Sequence, residues 1–150
     1  MPSFAKFVLK IIGHKALVKR LNEWENSEEG LIGICIETEK ENIDKELMVL
    51  KREGIRWFKY SGGRTDTKGR KLMSMGAFPE TQDMPFLNTA FRPSPRPKVG
   101  FVHPNSVVSI ESISFGTSNH SGLIEELCDD PILKVYNGKG IQDLVFKYKK

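Results

Sequence analysis

Two short apolar runs with a capped amphipathic stretch between them constrain the fold of this chain more than any other feature. Residues 31–37 are almost wholly apolar (Leu31, Ile32, Ile34, Cys35, Ile36), the pattern of a strand covered on both faces, as in a parallel sheet. Helical periodicity takes over at Asn42. Ile43, Leu47 and Leu50 recur on one face, Asp44 and Glu46 fall in the opening turns, and Lys51 and Arg52 precede Gly54. Acids early and bases late complement the helix dipole, while Asn and Gly supply the caps. Residues 55–60 return to a strand pattern, with Ile55 and Trp57 on one face. Strand, helix and strand within about 30 residues predict a right-handed βαβ unit.

Residues 3–12 fit two templates. With a period of two, Ala5, Phe7, Leu9 and Ile11 share a face opposite Lys6 and Lys10; with a helical period, Ser3, Lys6, Lys10 and the Gly13–His14 pair form a polar stripe. Enrichment in Phe, Val and Ile and the stop at Gly13 favour the strand. Residues 14–28 read as a helix with Leu17, Leu21 and Trp24 inward, and Lys15, Lys19, Arg20 and Asn22 largely outward. The first 60 residues then form βαβαβ.

Beyond residue 60 the pattern changes. Residues 61–71 are rich in glycine, polar and basic, and read as a loop. Residues 72–78 suit a strand, and prolines at 93, 95 and 97 predict extended polyproline-like chain over 92–98. Residues 99–103 and 107–115 read as strands joined by a turn. In the second, Val108 and Ile110 face opposite to Ile113 and Phe115, so a bulge near Glu111 is required to bring both pairs to the core side. A short helix over 122–128 precedes two runs, 132–136 and 141–148, that flank Asn137-Gly138-Lys139-Gly140 and predict a hairpin. The expected fold class is α/β or α+β. A single domain over 1–150 holds a mixed sheet: N-terminal βαβαβ, then mainly antiparallel strands with a short helix and a C-terminal hairpin.

Composition narrows the function classes. Hydrophobic residues at 39% and charged residues at 28% of 150 exclude a disordered chain. Two cysteines are too few for a disulfide framework, and Cys35 in its apolar run suits a buried hydrophobe; a reducing, cytoplasmic location is expected. No apolar run reaches the roughly 18 residues of a membrane span, and the N-terminus lacks the layout of a signal peptide. Membrane association is therefore not expected, although residues 4–21, if helical, form a cationic amphipathic stretch of the kind that lies on lipid. The formal net charge of +4 permits a polyanionic partner.

The anion-binding expectation falls on Ser61, Gly62, Gly63, Arg64, Lys68, Arg70 and Lys71, joined by Arg92 and Arg96. Glycine amides can approach a phosphate closely, and a loop at the carboxyl end of a parallel strand is where ligands of open α/β sheets bind. The glycine spacing matches neither the P-loop nor the dinucleotide fingerprint. Lys98 extends the basic run, whereas residues 25–46 are acidic. An enzyme reading would use His103 and His120 with Glu111 as acid–base groups on a nucleotide or phosphodiester. No metal-ligand spacing surrounds the three histidines, and no cofactor is expected. The leading expectation is a small binding or regulatory protein for nucleic acid or nucleotide. A protein-interaction or inhibitor module is the alternative, and the small enzyme is the third.

Overall fold

The structure is a computed structural model that describes residues 3–27, 29–96 and 104–149. It is a mixed α and β architecture with two mixed sheets. The first contains β1 (Cys35–Thr38), β2 (Trp57–Thr65), β3 (Lys71–Pro79) and β4 (Phe86–Thr89), in the order β1-β4-β3-β2. Helix α3 (Asp44–Arg52) joins β1 to β2. It starts where Asn42 Oδ1 accepts the Asp44 amide (3.1 Å) and ends at Gly54, whose φ of 69° lets the Ile55 amide reach Leu50 O (3.0 Å).

The strand–helix–strand reading is correct in its elements, but β1 and β2 are not neighbours. β1 pairs in parallel with β4, and β3 is antiparallel to both β4 and β2. β1 and β2 thus run in the same direction at opposite edges, a split βαβ arrangement. The cause is local. A tight turn over 66–70 folds β3 straight back onto β2, so β3 takes the position a simple βαβ unit would give to β1.

The segment expected as a first strand is helical: α1 (Ser3–Ile11) is followed by α2 (Lys15–Glu25). The polar-stripe template prevails because that stripe has a partner. Lys6 Nζ donates to Asn22 Oδ1 (2.7 Å) and to Glu25, both on α2. Helix α2 covers the sheet face opposite α3, and α1 packs on α2. The His14 ring meets Phe58 edge-on (4.6 Å between centroids) and Trp24 meets Phe78 (5.8 Å), while Phe78 packs against Tyr60 (5.2 Å) and Phe86 (5.4 Å). Arg20, expected outside, is fully buried with Ala16 and Val18, whereas Leu17, Leu21 and Trp24 are half-buried. Cys35, expected inside, is exposed on the edge strand β1.

The second sheet places β5 (Val107–Thr117) between β6 (Leu133–Asn137) and β7 (Gly140–Tyr148), with α4 (Ser121–Leu127) linking β5 to β6. The expected hairpin does not form. β6 pairs with β5 in parallel, and β7 pairs antiparallel on the other side. Gly116 explains the crossing, because a Cβ there would sit 2.5 Å from Lys139 N and 2.7 Å from Gly138 C. The missing side chain lets the turn pass over the end of β5. The register shift between Ile110 and Ser112 places the expected bulge at Glu111. Past it Phe115 is buried and Ile113 half-buried, but Val108 and Ile110 stay exposed. β6 covers only Ile113 onward, so among the described residues the outer β5–β7 ribbon is two-stranded. The strand expected over 99–103 lies outside the described residues.

One cluster of buried side chains joins both sheets: Leu87 and Ala77 from the first, Phe115 from the second, with Ile43 just before α3, Leu47 and Leu50 of α3 and Ile124 of α4 between them. Among the described residues no helix is long and apolar enough to cross a membrane.

The α1–α2 contact carries a pH dependence. Hydrogen bonding to Lys6 is the main cause that holds the Glu25 carboxyl down to about 2. A depressed carboxylate contributes stability above its unfolded value, about 4.3, that is lost as pH falls through the folded value. Amide resonances of α1 followed by NMR should therefore keep their docked positions down to about pH 4 and shift progressively toward pH 2. Shifts complete by pH 4 would contradict the contact.

Candidate anion-binding surface

The stretch expected as a glycine loop is mostly strand. Ser61, Gly62, Gly63 and Arg64 belong to β2 and pair with Met75, Ser74, Met73 and Leu72 of β3; Lys71 opens β3 opposite Thr65. Only residues 66–70 form a turn, and Asp66 organises it. Its Oδ1 accepts the amides of Lys68 (2.9 Å) and Arg70 (2.8 Å), and its Oδ2 accepts Arg70 Nε (2.7 Å). The Arg70 amide, then its guanidinium and the Lys68 amide, hold the Asp66 carboxyl below the usual range. An Asp followed three residues later by Gly69 at φ 74° is the signature of a type I turn closing a hairpin. That signal was present in the sequence beneath the excess of glycine and charge.

Gly62 and Gly63 are therefore not a phosphate cradle. Gly63 is needed for close packing, because a Cβ would meet Leu72 O at 2.1 Å and Met73 Sδ at 2.6 Å; around Gly62 there is open space. What the hairpin does present is side-chain charge. Arg64, Lys68 and Lys71 are exposed and have no carboxylate partner among the described residues. The Arg64 guanidinium lies over the Phe91 ring, 5.2 Å from its centroid, a contact that fixes the cation without neutralising it. Phe91 was not anticipated, because nothing in the sequence couples residue 91 to residue 64.

Arg92 and Arg96 reach the same end of the sheet but are engaged differently. The backbone of Arg92 exchanges two hydrogen bonds with Met73 (2.9 and 2.8 Å), and its Nη2 donates to Glu39 O (2.9 Å). Arg96 pairs with Glu37 (2.5 Å) and Glu39 (3.4 Å). The acidic stretch after β1 thus neutralises much of the second basic cluster. A cavity of about 380 Å³ is lined by Glu37, Glu39, Phe91, Arg92, Ser94 and Arg96, and it includes neither Arg64 nor Lys68.

Of the expected acid–base residues, Glu111 lies within β5 and His120 past its end. Glu111 is exposed in the bulge, and His120 is the residue preceding α4. Six strand residues, about 20 Å, separate Glu111 from Thr117. The His120 amide donates to Thr117 Oγ1 (3.2 Å), so His120 stays beside the far end of β5. His103 lies outside the described residues. Among the described residues no group of three or more acidic, histidine or cysteine side chains is placed to hold a metal.

A cleft of about 1070 Å³ went unanticipated because five distant segments line it: α2 with the residues just after it, residues 29–32, the turn 81–83, Ser118 and the crossing at 139–141. Lys19, Glu23, Asp83, Ser118 and Lys139 supply its polar groups. Gln82 is already held by Glu23 Oε2 through its amide (2.8 Å) and by Ser27 through its side chain (3.0 Å).

The two glycines separate packing from ligand contact. Gly63→Ala should destabilise the chain by about 1–3 kcal/mol in urea unfolding, through forced displacement of β3, while Gly62→Ala stays within about 0.5 kcal/mol. Equal, negligible effects would return both glycines to a mobile loop. No protein-family model, curated protein or solved structure matches the chain.

Proposed function

We propose that this chain is a binding or regulatory protein whose β2–β3 hairpin contacts a phosphate-bearing partner. The observation that carries the reading is the set of exposed cations Arg64, Lys68 and Lys71 on one hairpin, none with a carboxylate partner among the described residues. An exposed ribbon outside the described cavities suits the extended backbone of a nucleic acid better than an enclosed mononucleotide. Phosphate contacts of this kind position a partner without reading its sequence, so little base preference is expected. Phe91 is engaged by Arg64 and only half-exposed, which argues against stacking as the main source of affinity.

The outer β5–β7 ribbon favours a second reading, a protein-interaction module. Ile110 pairs with Phe146 and Val107 with Tyr148, and Ile110, Phe146 and Tyr148 are exposed on an arm that no further strand among the described residues flanks. An edge of this kind accepts an added strand from a partner.

Fluorescence anisotropy with a labelled nucleic-acid duplex decides between them. Three neutralised phosphates predict that raising monovalent salt about fourfold weakens binding roughly 40-fold, and that the combined change of Arg64, Lys68 and Lys71 to alanine removes most of that salt slope. Affinity indifferent to salt and to the triple change would leave the ribbon as the working surface.

A further inference from the structure

The outward face of α1 is apolar, and no described residue covers it. Successive residues of an α-helix are about 100° apart, so Phe4, Phe7, Val8 and Ile11 form one stripe roughly 100° wide. All four are exposed, Phe4 at 76%, Phe7 at 60% and Ile11 at 68%, and Ile12 continues the stripe at 58%. Ala5, Lys6 and Leu9 point the other way and are half-buried, with Lys6 tied to Asn22 and Glu25. The helix is thus fixed by its polar back and displays its apolar front. A nine-residue helix with this much exposed Phe and Ile cannot derive its stability from burying that stripe in its own core.

Charge identifies what the stripe meets. No acidic residue occurs in α1. Lys10 borders the stripe beside Phe7, and Lys15 and Lys19 lie one turn apart on the exposed side of α2, next to the face that holds α1. Aromatic and branched apolar residues on one side with lysines along the margin are the arrangement of a helix that lies in a lipid–water interface. A second copy fits less well. Five residues fall far short of the roughly 20–30 on each side of a stable dimer, and symmetric pairing would bring the lysine margins together. We infer that α1 docks on the surface of an anionic bilayer, with Phe4, Phe7, Val8 and Ile11 in the acyl boundary and Lys10, Lys15 and Lys19 on the headgroup phosphates and carboxylates. The site takes anionic lipid, is independent of the β2–β3 hairpin, and binds reversibly, because one short stripe supplies a single weak anchor.

Co-sedimentation of the full chain with vesicles tests this directly. Phosphatidylcholine vesicles containing one quarter phosphatidylserine should carry the protein down, vesicles of phosphatidylcholine alone should not, and added salt should weaken the binding. Phe7→Asp combined with Ile11→Asp, at two exposed positions that leave the fold intact by circular dichroism, should lower the partition coefficient by at least about tenfold. Lys10→Glu with Lys15→Glu should also lower it. Changing Arg64, Lys68 and Lys71 to alanine should not, which separates this surface from the hairpin. The inference is overturned if phosphatidylserine vesicles leave the protein in solution, or if the double aspartate variant binds as the parent does. It is equally overturned if only the hairpin variant loses binding, or if light scattering finds a dimer that Phe7→Asp dissolves.

Discussion

A buried guanidinium bonded to backbone carbonyls, with the Glu23 carboxylate acting on it only at longer range, holds the helical layer to the first sheet. Arg20 is fully buried, and the two hydrogens of its Nη1 are shared among three carbonyls, from the end of β3 and the β3–β4 connection: Pro79 O (3.0 Å), Thr81 O (2.8 Å) and Met84 O (2.9 Å). Its Cζ lies 5.3 Å from the Trp24 ring centroid, while Nε and Nη2 find no acceptor among the described residues. Burial lowers the group to about 10, so it remains charged at neutral pH. Hydrogen bonds from a charged donor are worth about 1.5–3 kcal/mol each, which offsets the several kcal/mol of desolvating the cation. The arrangement fixes the path of 79–84, and with it the insertion of β4 between β1 and β3.

Everything displayed on the surface follows from that attachment. With α2 pinned, its Asn22 and Glu25 present the sites that catch Lys6, and α1 is turned with its apolar stripe away from the sheet. The other end of the sheet collects the β2–β3 turn, the acidic residues after β1 and the arginines after β4. There Glu37 and Glu39 pair with Arg96, the Glu39 backbone carbonyl holds Arg92, and the hairpin cations have no carboxylate partner among the described residues. The molecule therefore offers two chemically distinct surfaces, an apolar helix edged by lysine and a cationic ribbon.

The sequence was legible where local pattern and final packing agree. α3, with its early acids, late bases and Gly stop, and the bulge at Glu111 could be read because their causes lie within a few residues, although Ile43 and not Asn42 is the N-cap residue. Misreadings arose where the deciding contact is distant. Arg20 looks like a solvent residue until the 79–84 carbonyls close around it. Residues 3–12 satisfied both periodicities, and the choice fell to Lys6 meeting Asn22 and Glu25, a contact the sequence does not announce. Gly116 determines that β7 crosses β5 instead of pairing with β6, through a clash with residues more than twenty positions away. The candidate cations Arg64, Lys68 and Lys71 were identifiable by type, but their sharing one ribbon depended on the Asp66 turn.

The measurement that bears most directly on this account is urea unfolding of Arg20→Met, read by circular dichroism together with amide hydrogen exchange of α2. Methionine fills much of the volume but leaves three buried carbonyls without their donor, so a loss of about 3 kcal/mol and a collapse of exchange protection in α2 are expected. An unchanged or raised midpoint with α2 still protected would contradict the claim, showing that packing alone holds the helices to the sheet.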